Sequence, residues 1–304
     1  MDFKRRVAVD FKADVEFPTV SDEEQQVLTN YFELDKGLKE IWQLFNIFKY
    51  NLDAMLAEYE FKVNGLVPYK KRSYDENFAA INALIINYIS SAKTLLEAME
   101  NVDKNTDYQK TEDKKKESTF KEKHLSKYYD SNFYYRFFDM LRNFSQHGHP
   151  PVSLLENGAK FDFEQIIDIS HFKNKHSQEM KKIIEEIREK YNANADISIA
   201  ISISEYNICL FEAYNKFWRY MEERTKKLSK QIKLLIKDFT IIEENHKKFA
   251  CYIYDGEAHA IAIDSFEIDF VVQNKRESKI HLEKELLMLK EFREGRKIEN
   301  LNHQ

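Results

Sequence analysis

Glycine and proline are scarce in this chain of 304 residues, which contains only 6 of the first and 4 of the second. Average usage is about 7% glycine and about 5% proline, so few of the residues that tight turns require are present. A many-stranded β-sandwich or barrel, which depends on such turns, is excluded, and so is a glycine-rich phosphate-binding fold. We therefore expect strands to be a minor part of the structure.

Cysteine is scarcer still, with Cys209 and Cys251 as its only representatives. Two cysteines are too few for a disulfide framework or a cysteine-based zinc site, and we expect both to be small buried residues in a reducing compartment. The first residues lack the apolar stretch of a signal peptide. The longest uncharged run, 77–92, is shorter than the roughly 20 apolar residues of a membrane span. These features predict a soluble, cytoplasmic protein without a membrane partner.

Neither sign of charge dominates, since 47 Lys and Arg face 52 Asp and Glu for a net charge of −5. This balance argues against a globally basic nucleic-acid binder but permits a local basic site. Aromatic residues are abundant, with 23 Phe, 17 Tyr and 2 Trp, which argues for a packed core. A chain of this length can form one large core, or one main domain with a small appendage.

Helical signals cover most of the sequence. Capping boxes at Ser21 and Ser73 predict two long helices, over 21–59 with Gly37 as a candidate kink, and over 74–99 as the central helix. The second helix contains three asparagines, which we expect to face loops or cap neighbours: Asn77, Asn82 and Asn87.

Two further helices are predicted towards the C-terminus. The isoleucine run at 197–203 alternates like a strand, but the helical pattern that continues from it to about Phe239 favours one long helix. Residues 276–293 form an amphipathic pattern. The apolar side chains expected to bury this last helix are Ile280, Leu282, Leu286, Leu287 and Leu289.

Strand signals are few. Asn157-Gly158 lies between two short alternating runs and predicts a hairpin. Asp255-Gly256 is a type I′ turn signature between two further strands, and 265–272 alternates like a third strand.

The resulting fold class is mostly all-α: a helical bundle with a short β-hairpin and a small C-terminal α+β appendage. We expect strands only in roughly 150–165 and 249–273. Three segments follow from these patterns: an N-terminal helical segment (1–72), a helical domain (73–245) and the appendage (246–304).

One stretch, LRNFSQHGHP from Leu141 to Pro150, carries more chemistry than any other. It places Arg142, His147 and His149 at the end of an aromatic helix. Arginine is permanently charged and its planar fork matches phosphate oxygens, while histidine can transfer protons near neutral pH. Metal-free RNA cleavage needs both: one group moves the proton of the 2′-hydroxyl or the leaving oxygen, and the other stabilises charge on the phosphate.

The spacing within this stretch constrains its use. Arg142 and His147 are five residues apart, which corresponds to about 140° around an ideal helix. The two side chains can converge only if the helix ends between them. Gly148, Pro150 and Pro151 predict such an end soon after Phe144.

The pattern Arg142-Asn143-x-x-x-His147 resembles the R-x(4–6)-H motif of HEPN domains, in which a polar residue commonly follows the arginine. These domains are all-α bundles with the motif at the end of a long core helix. The resemblance covers about residues 74–240. It implies that 73–245 is an HEPN-like domain, that Arg142 and His147 are catalytic, and that Asn143 orients them or the phosphate.

The same resemblance implies a metal-independent endoribonuclease that needs no cofactor, acts on RNA, and builds a composite site across a homodimer. Roles in phage defence or stress response, with an antitoxin or another regulatory protein as partner, belong to this expectation. His149 stands where one toxin branch has a tyrosine, and the chain is more than twice as long as a minimal HEPN domain. His149 also fits the six-residue spacing of the motif, and Gln146 is a further candidate for catalysis or binding.

Other interpretations of the same residues stay open. Arg142 can satisfy carbonyl groups at the helix end, His147 can form a hydrogen bond in a loop, and His147 with His149 can act as two metal ligands, although a third ligand is not evident. The alternative function is a non-catalytic helical module that binds RNA, nucleotides or a protein.

Since the sequence shows no ligand set for a hydrolytic metal, we predict that RNA cleavage survives chelation. Purified protein should cleave mixed RNA equally well with and without EDTA. Cleavage that EDTA abolishes and a divalent ion restores would contradict this prediction, and would assign His147 and His149 as metal ligands.

Overall fold

The computed structural model describes residues 16–62, 65–105, 120–155, 158–161, 178, 181–183, 185–186, 189, 198–244, 246–263 and 270–302. Most of these residues are helical, which confirms the mostly α-helical fold class. The strands are short and antiparallel, and form two hairpins and one three-stranded sheet.

Helix α1 (Asp22–Glu58) begins at the first predicted capping box. The Glu24 amide donates to the Ser21 hydroxyl at 3.3 Å, and the Ser21 amide donates to the Glu24 carboxylate at 2.8 Å. Each bond satisfies an amide that has no acceptor within the helix. The helix continues through Gly37, so this glycine does not split it.

Helix α2 (Tyr74–Asn105) begins at the second capping box, formed by Ser73 and Glu76. The stretch Tyr74–Val102 is long and apolar enough to cross a membrane by length and composition alone, but half of its most apolar window is buried inside the protein. This burial is what a core helix shows, and agrees with the predicted central position. Its buried side chains include Ile81, Ile85, Tyr88, Ile89, Ala92 and Leu95.

A π-helical turn and two short helices come next: Lys121–Leu125, α3 (Ser126–Ser131) and α4 (Phe133–Gln146). Asn132 starts α4, because its side chain accepts a hydrogen bond from the Tyr135 amide at 3.0 Å. The aromatic face of α4 is buried. It includes Phe133, Phe137, Met140, Leu141 and Phe144.

The long helix α5 (Ile199–Asp238) confirms the helical interpretation of the isoleucine run for the residues described. Side chains 199–204 are all buried, because other elements cover this end of the helix on every side. The alternation in the sequence therefore does not mark one exposed face and one buried face here. Ser198 caps the helix by accepting the Ile201 amide at 3.4 Å.

The strand pairing of β3 (Val152–Leu155) with β4 (Gly158–Phe161) confirms the predicted hairpin, while Asn157 lies outside the described residues. A second hairpin, β1 (Tyr59–Lys62) with β2 (Gly65–Pro68), contradicts the expectation of strands only in 150–165 and 249–273. Its cause is tertiary: Tyr59 is 1% exposed and donates its hydroxyl hydrogen to Asn77 Oδ1 at 2.7 Å. This contact stops α1 at Glu58 and turns the chain back.

The three-stranded sheet has the order β5 (Thr240–Glu244), β6 (Lys247–Tyr254) and β7 (Glu257–Ala262). Asp255 and Gly256 have φ values of 51° and 71°, as a type I′ turn requires. The predicted third strand at 265–272 is wrong where it is described, since residues from Phe270 onwards are helical; its earlier residues lie outside the described part. The third strand is instead β5, which follows α5 directly.

Helix α6 (Phe270–Asn302) is longer than the predicted 276–293, and of the predicted apolar anchors it buries only Leu289 fully and Leu282 in part. Three of the five predicted apolar anchors are largely exposed: Ile280, Leu286 and Leu287. The buried positions are Val271, Asn274, Ser278, Glu285 and Leu289. The prediction fails for these three residues because the surface of α5 that faces α6 presents polar side chains such as Asn207 and Asn215.

The packing forms two core clusters. The larger joins α1, α2, α4 and α5, and α6 packs on it through Val271 and Leu282. The smaller cluster lies under the three-stranded sheet. There the N-terminal part of α1 and the C-terminal part of α5 meet Phe239 and Tyr252. Both cysteines are buried and free, as predicted. The segment 246–304 therefore contributes its strands to one cluster and its helix to the other.

A buried polar chain connects α2, α5 and α6. The Tyr88 hydroxyl donates to Asn207 Oδ1 at 2.6 Å, and Asn207 Nδ2 donates to Glu285 Oε2 at 3.2 Å. Burial raises the pKa of Glu285 to about 7, and the negative charge of Asp53 acts in the same direction. The Asn207 hydrogen bond opposes this rise.

The Glu285 pKa predicts a pH-dependent stability. Between the ordinary pKa near 4.5 and about 7, the folded protein keeps a proton that the unfolded chain has released. The contribution of Glu285 is therefore complete below about pH 4.5 and is lost as pH rises to about 7. Glu285→Gln, which stays neutral and can still accept from Asn207, should raise the free energy of unfolding at pH 8 by up to about 3 kcal/mol, and by nothing near pH 4.5.

Urea unfolding of wild type and Glu285→Gln across this pH range measures the difference in their free energies of unfolding. Other titrating groups such as His281 are present in both proteins, so their contributions cancel in this difference. Glu291→Gln, an exposed position on the same helix, is the control and should leave the pH profile unchanged. An identical profile for wild type and Glu285→Gln would contradict the prediction.

Candidate functional site

The candidate site lies at the C-terminal end of α4, where Leu141 and Phe144 are fully buried and anchor the helix in the core. Arg142 and Asn143, next to these anchors, are half-buried at the edge of the aromatic face. Arg142 Nη1 donates to Asn143 Oδ1 at 3.4 Å. The structure thus brings together the predicted arginine and the polar residue after it.

The charge of Arg142 has no carboxylate partner among the described residues. The other cation of α4, Arg136, forms an ion pair with Glu186 at 2.5 Å and donates to two backbone carbonyls. Arg142 Nε is buried and finds no hydrogen-bond acceptor in the described part of the chain. A buried donor of this kind is costly unless a ligand or another group pairs with it. Arg142 is therefore equipped to receive an anion.

The helix ends as the sequence predicts, soon after Phe144. His147 is the C-terminal cap, with φ −85° and ψ 13°, and its amide donates to the Phe144 carbonyl at 3.2 Å. Gly148 has φ +86° and donates to the Ser145 carbonyl at 3.1 Å. This left-handed conformation at the residue after the cap favours glycine and reverses the chain.

The position of this end decides which side chains share a face. Because α4 stays helical through Gln146, helical geometry sets the direction of His147 about 140° away from that of Arg142. Gln146, four residues after Arg142, shares its face instead. His147 and Gln146 are exposed, whereas Arg142 is half-buried.

His149 follows the chain reversal and returns to the helix. Its ring lies 5.1 Å from that of Phe144, centroid to centroid, at 33°, and the residue is half-buried. This contact covers the last aromatic residue of α4. The structure therefore gives His149 a packing role, while His147 stays at the surface.

The segment after the motif is tied to the central helix by Asn82. Its Nδ2 donates to the Val152 carbonyl at 2.9 Å and its Oδ1 accepts the Val152 amide at 3.0 Å. Asn82 and Val152 are 5% and 1% exposed. The asparagine thus pairs with the backbone of β3 rather than facing a loop or capping a neighbour, and it holds the far end of the loop that carries His147 and His149.

No three His, Cys, Asp or Glu side chains come together as a metal site within the part of the chain that the structure describes. The chain matches no protein-family model, no characterised protein and no solved structure.

A second polar group, Tyr88–Asn207–Glu285, was not predicted from the sequence. A signal for it exists: Glu285 lies three residues after Leu282 and four before Leu289, which places it on the same face of α6 as both leucines. A carboxyl group on a buried stripe indicates a polar partner in the facing helix.

The Asn82 tether generates a stability prediction. Asn82→Ala should leave the Val152 amide and carbonyl buried without partners, and lower the free energy of unfolding by about 2–4 kcal/mol. Asn87→Ala, at an exposed position on the same helix, is the matched control and should change it by less than about 0.5 kcal/mol. Denaturant unfolding of the two variants compares them, and equal effects would show that the tether contributes nothing.

Proposed function

We propose that this chain is a cytoplasmic, metal-independent endoribonuclease of the HEPN type. The observation that carries the proposal is Arg142, a half-buried cation without a carboxylate partner in the described structure, held beside Asn143 at a helix end that exposes His147. The all-α fold and the position of the motif at the end of a core helix support it.

In the proposed reaction, the 2′-hydroxyl oxygen of RNA forms a bond to the adjacent phosphorus, and the bond from phosphorus to the 5′-oxygen breaks. His147 takes the 2′-hydroxyl proton or donates a proton to the leaving oxygen. Arg142 stabilises the charge that develops on the phosphate oxygens, with Asn143 keeping its guanidinium oriented. The products are a 2′,3′-cyclic phosphate and a 5′-hydroxyl.

The 140° between Arg142 and His147 favours a homodimer. In a symmetric pair, the same surface of two copies meets itself, so Arg142 of one copy can face His147 of the other. A composite site would also provide two histidines, one to accept and one to donate a proton. A regulatory protein partner and a role in phage defence or stress response follow from the resemblance alone.

The same angle is the observation that favours a second candidate, a non-catalytic module. Arg142 and Gln146 share a face, so this face can bind a phosphate without any contribution from His147. Such a module would retain RNA but leave it intact.

Variants at the motif separate these functions. Arg142→Ala should lower the cleavage rate by about 10²–10³-fold and His147→Ala by about 10²–10⁴-fold. Neither residue belongs to the buried core, so both variants should keep the fold. His149→Ala should affect the rate much less. The assay is cleavage of labelled RNA in EDTA, with the cyclic phosphate identified by mass spectrometry.

Arg276→Ala, at an exposed arginine of α6, is the control for loss of a positive charge. Loss of cleavage in His149→Ala but not in His147→Ala would move the catalytic role to His149. Cleavage that neither histidine affects would favour the binding module.

A further inference from the structure

The C-terminal half of α5 has one face in the protein and one face lined by cations. Its buried side includes Thr225, Leu228 and Ile232. On the opposite side, lysines recur at intervals of four, three and four residues, which keeps them within an arc of about 60°, and Arg219 lies on the same line one heptad earlier. We call these five exposed residues the lysine face: Arg219, Lys226, Lys230, Lys233 and Lys237.

The charges of the lysine face are not neutralised within the described structure. No member forms an ion pair or hydrogen bond with another described residue, whereas the nearby Glu222 and Glu212 are engaged by Lys275 and Lys216. The sequence contains no acidic residue between positions 224 and 237. Glu223 and Asp238 are exposed near the two ends of this segment, but the exposed cations outnumber them, so this side of the helix carries a net positive charge although the whole chain is acidic.

The positive potential extends beyond α5 to the π-helical turn. Lys123 and Arg224 lie over the ring of Tyr220, at 5.5 and 4.6 Å from its centroid. The pKa of His124 is lowered, first by burial and then by the charges of Lys216 and Lys123. These contacts show cations from two elements collected around one end of the lysine face.

We infer that the lysine face binds the phosphodiester backbone of single-stranded RNA, without reading its sequence. The five charges lie along one helix over about 27 Å, with successive lysines about 4.5–6 Å apart along the axis. A linear array of this kind fits a linear polyanion, and Lys binds phosphate as a point charge without base contacts. The inference rests on the proposed function for the choice of RNA as the polyanion.

A membrane surface fits these observations less well. Helices that lie on membranes bury an apolar face in the lipid, but the apolar side of α5 is already covered by α1 and the three-stranded sheet. Leu234 is the single large apolar side chain that this half of α5 exposes. The surface can attract anionic groups but has little to insert.

The lysine face is distant from the candidate catalytic residues. Phe138 of α4 stacks on Tyr206 of α5, and Lys226 lies 20 residues further along the helix, about 30 Å away. The face would thus hold a part of a long RNA that the cleavage site does not contact.

The test is binding of a fluorescent 30-nucleotide 2′-O-methyl RNA, which the proposed reaction cannot cleave, at salt concentrations from about 50 to 200 mM. The full chain is compared with a variant carrying Lys→Gln at 226, 230, 233 and 237. Glutamine matches lysine in helix propensity. The control carries Lys→Gln at 36, 279, 284 and 290, which are exposed lysines elsewhere, so both variants lose four charges.

We expect the lysine-face variant to bind on the order of tenfold or more weakly at low salt, and the slope of log K against log salt to fall by about 2.8, since each phosphate contact to a single strand contributes about 0.7. The control should bind like wild type. Two double variants, at 226 and 230 and at 233 and 237, should each remove about half of the slope, and they carry the test if the quadruple variant unfolds in circular dichroism.

Equal weakening in the face and control variants would overturn the inference, because net charge alone would then explain binding. The inference would also be overturned if the lysine-face variant lost binding to vesicles containing phosphatidylserine, or to polyglutamate, while it bound RNA like wild type. Arg142→Ala should lower the slope by no more than the about 0.7 that a single phosphate contact contributes. If the lysine-face variant lowers the salt slope but wild type cleaves no RNA, the proposed function alone is overturned. If wild type cleaves RNA but the lysine-face variant leaves the salt slope unchanged, this inference alone is overturned.

Discussion

The stacking of α4 on Tyr206 of α5 determines where the candidate site stands. The Phe138 ring lies parallel to that of Tyr206, with centroids 4.5 Å apart and planes at 8°, and Tyr88 of α2 meets the same ring edge-on at 6.2 Å. Offset and edge-on pairs are the favourable geometries of aromatic side chains. Tyr206 therefore holds three helices in one register, and Arg142 is positioned one turn after Phe138 on a helix that cannot rotate without breaking this stack.

Helix α6 is held by a different physical principle. Its seam with α5 consists of polar pairs that follow one another in antiparallel order, from Lys275 with Glu222, through Ser278 with Asn215 and Glu285 with Asn207, to Arg293 with Glu205. Polar pairs of this kind add little to the free energy with which two helices associate, but they fix the register of the helices. A shift by one turn would leave every partner unsatisfied. The apolar stacks thus provide most of the cohesion, and the seam specifies where α6 lies.

The features that could be predicted from the sequence are those that depend on a few adjacent residues. The capping boxes at Ser21 and Ser73, the turn at Asp255 and the end of α4 near Gly148 all belong to this class. The hairpin at Tyr59 and the partners of the polar side chains on α6 could not be predicted, because each depends on a residue distant in the chain. The candidate site divides in the same way: the helix end is local, but the lack of a carboxylate beside Arg142 among the described residues is a property of the packed chain.

The distribution of cations shows why a net charge of −5 says little about binding. On α6, Lys279 and Lys290 each have a glutamate four residues later, at 3.6 and 3.8 Å, so their charges are largely cancelled at the surface. On the outer side of α5 no acid lies between Lys226 and Lys237, and on α4 Arg142 has no carboxylate partner among the residues described. Screening limits the reach of exposed charges to about 10 Å at moderate salt, so acids elsewhere in the chain do not neutralise these cations for a ligand that touches them.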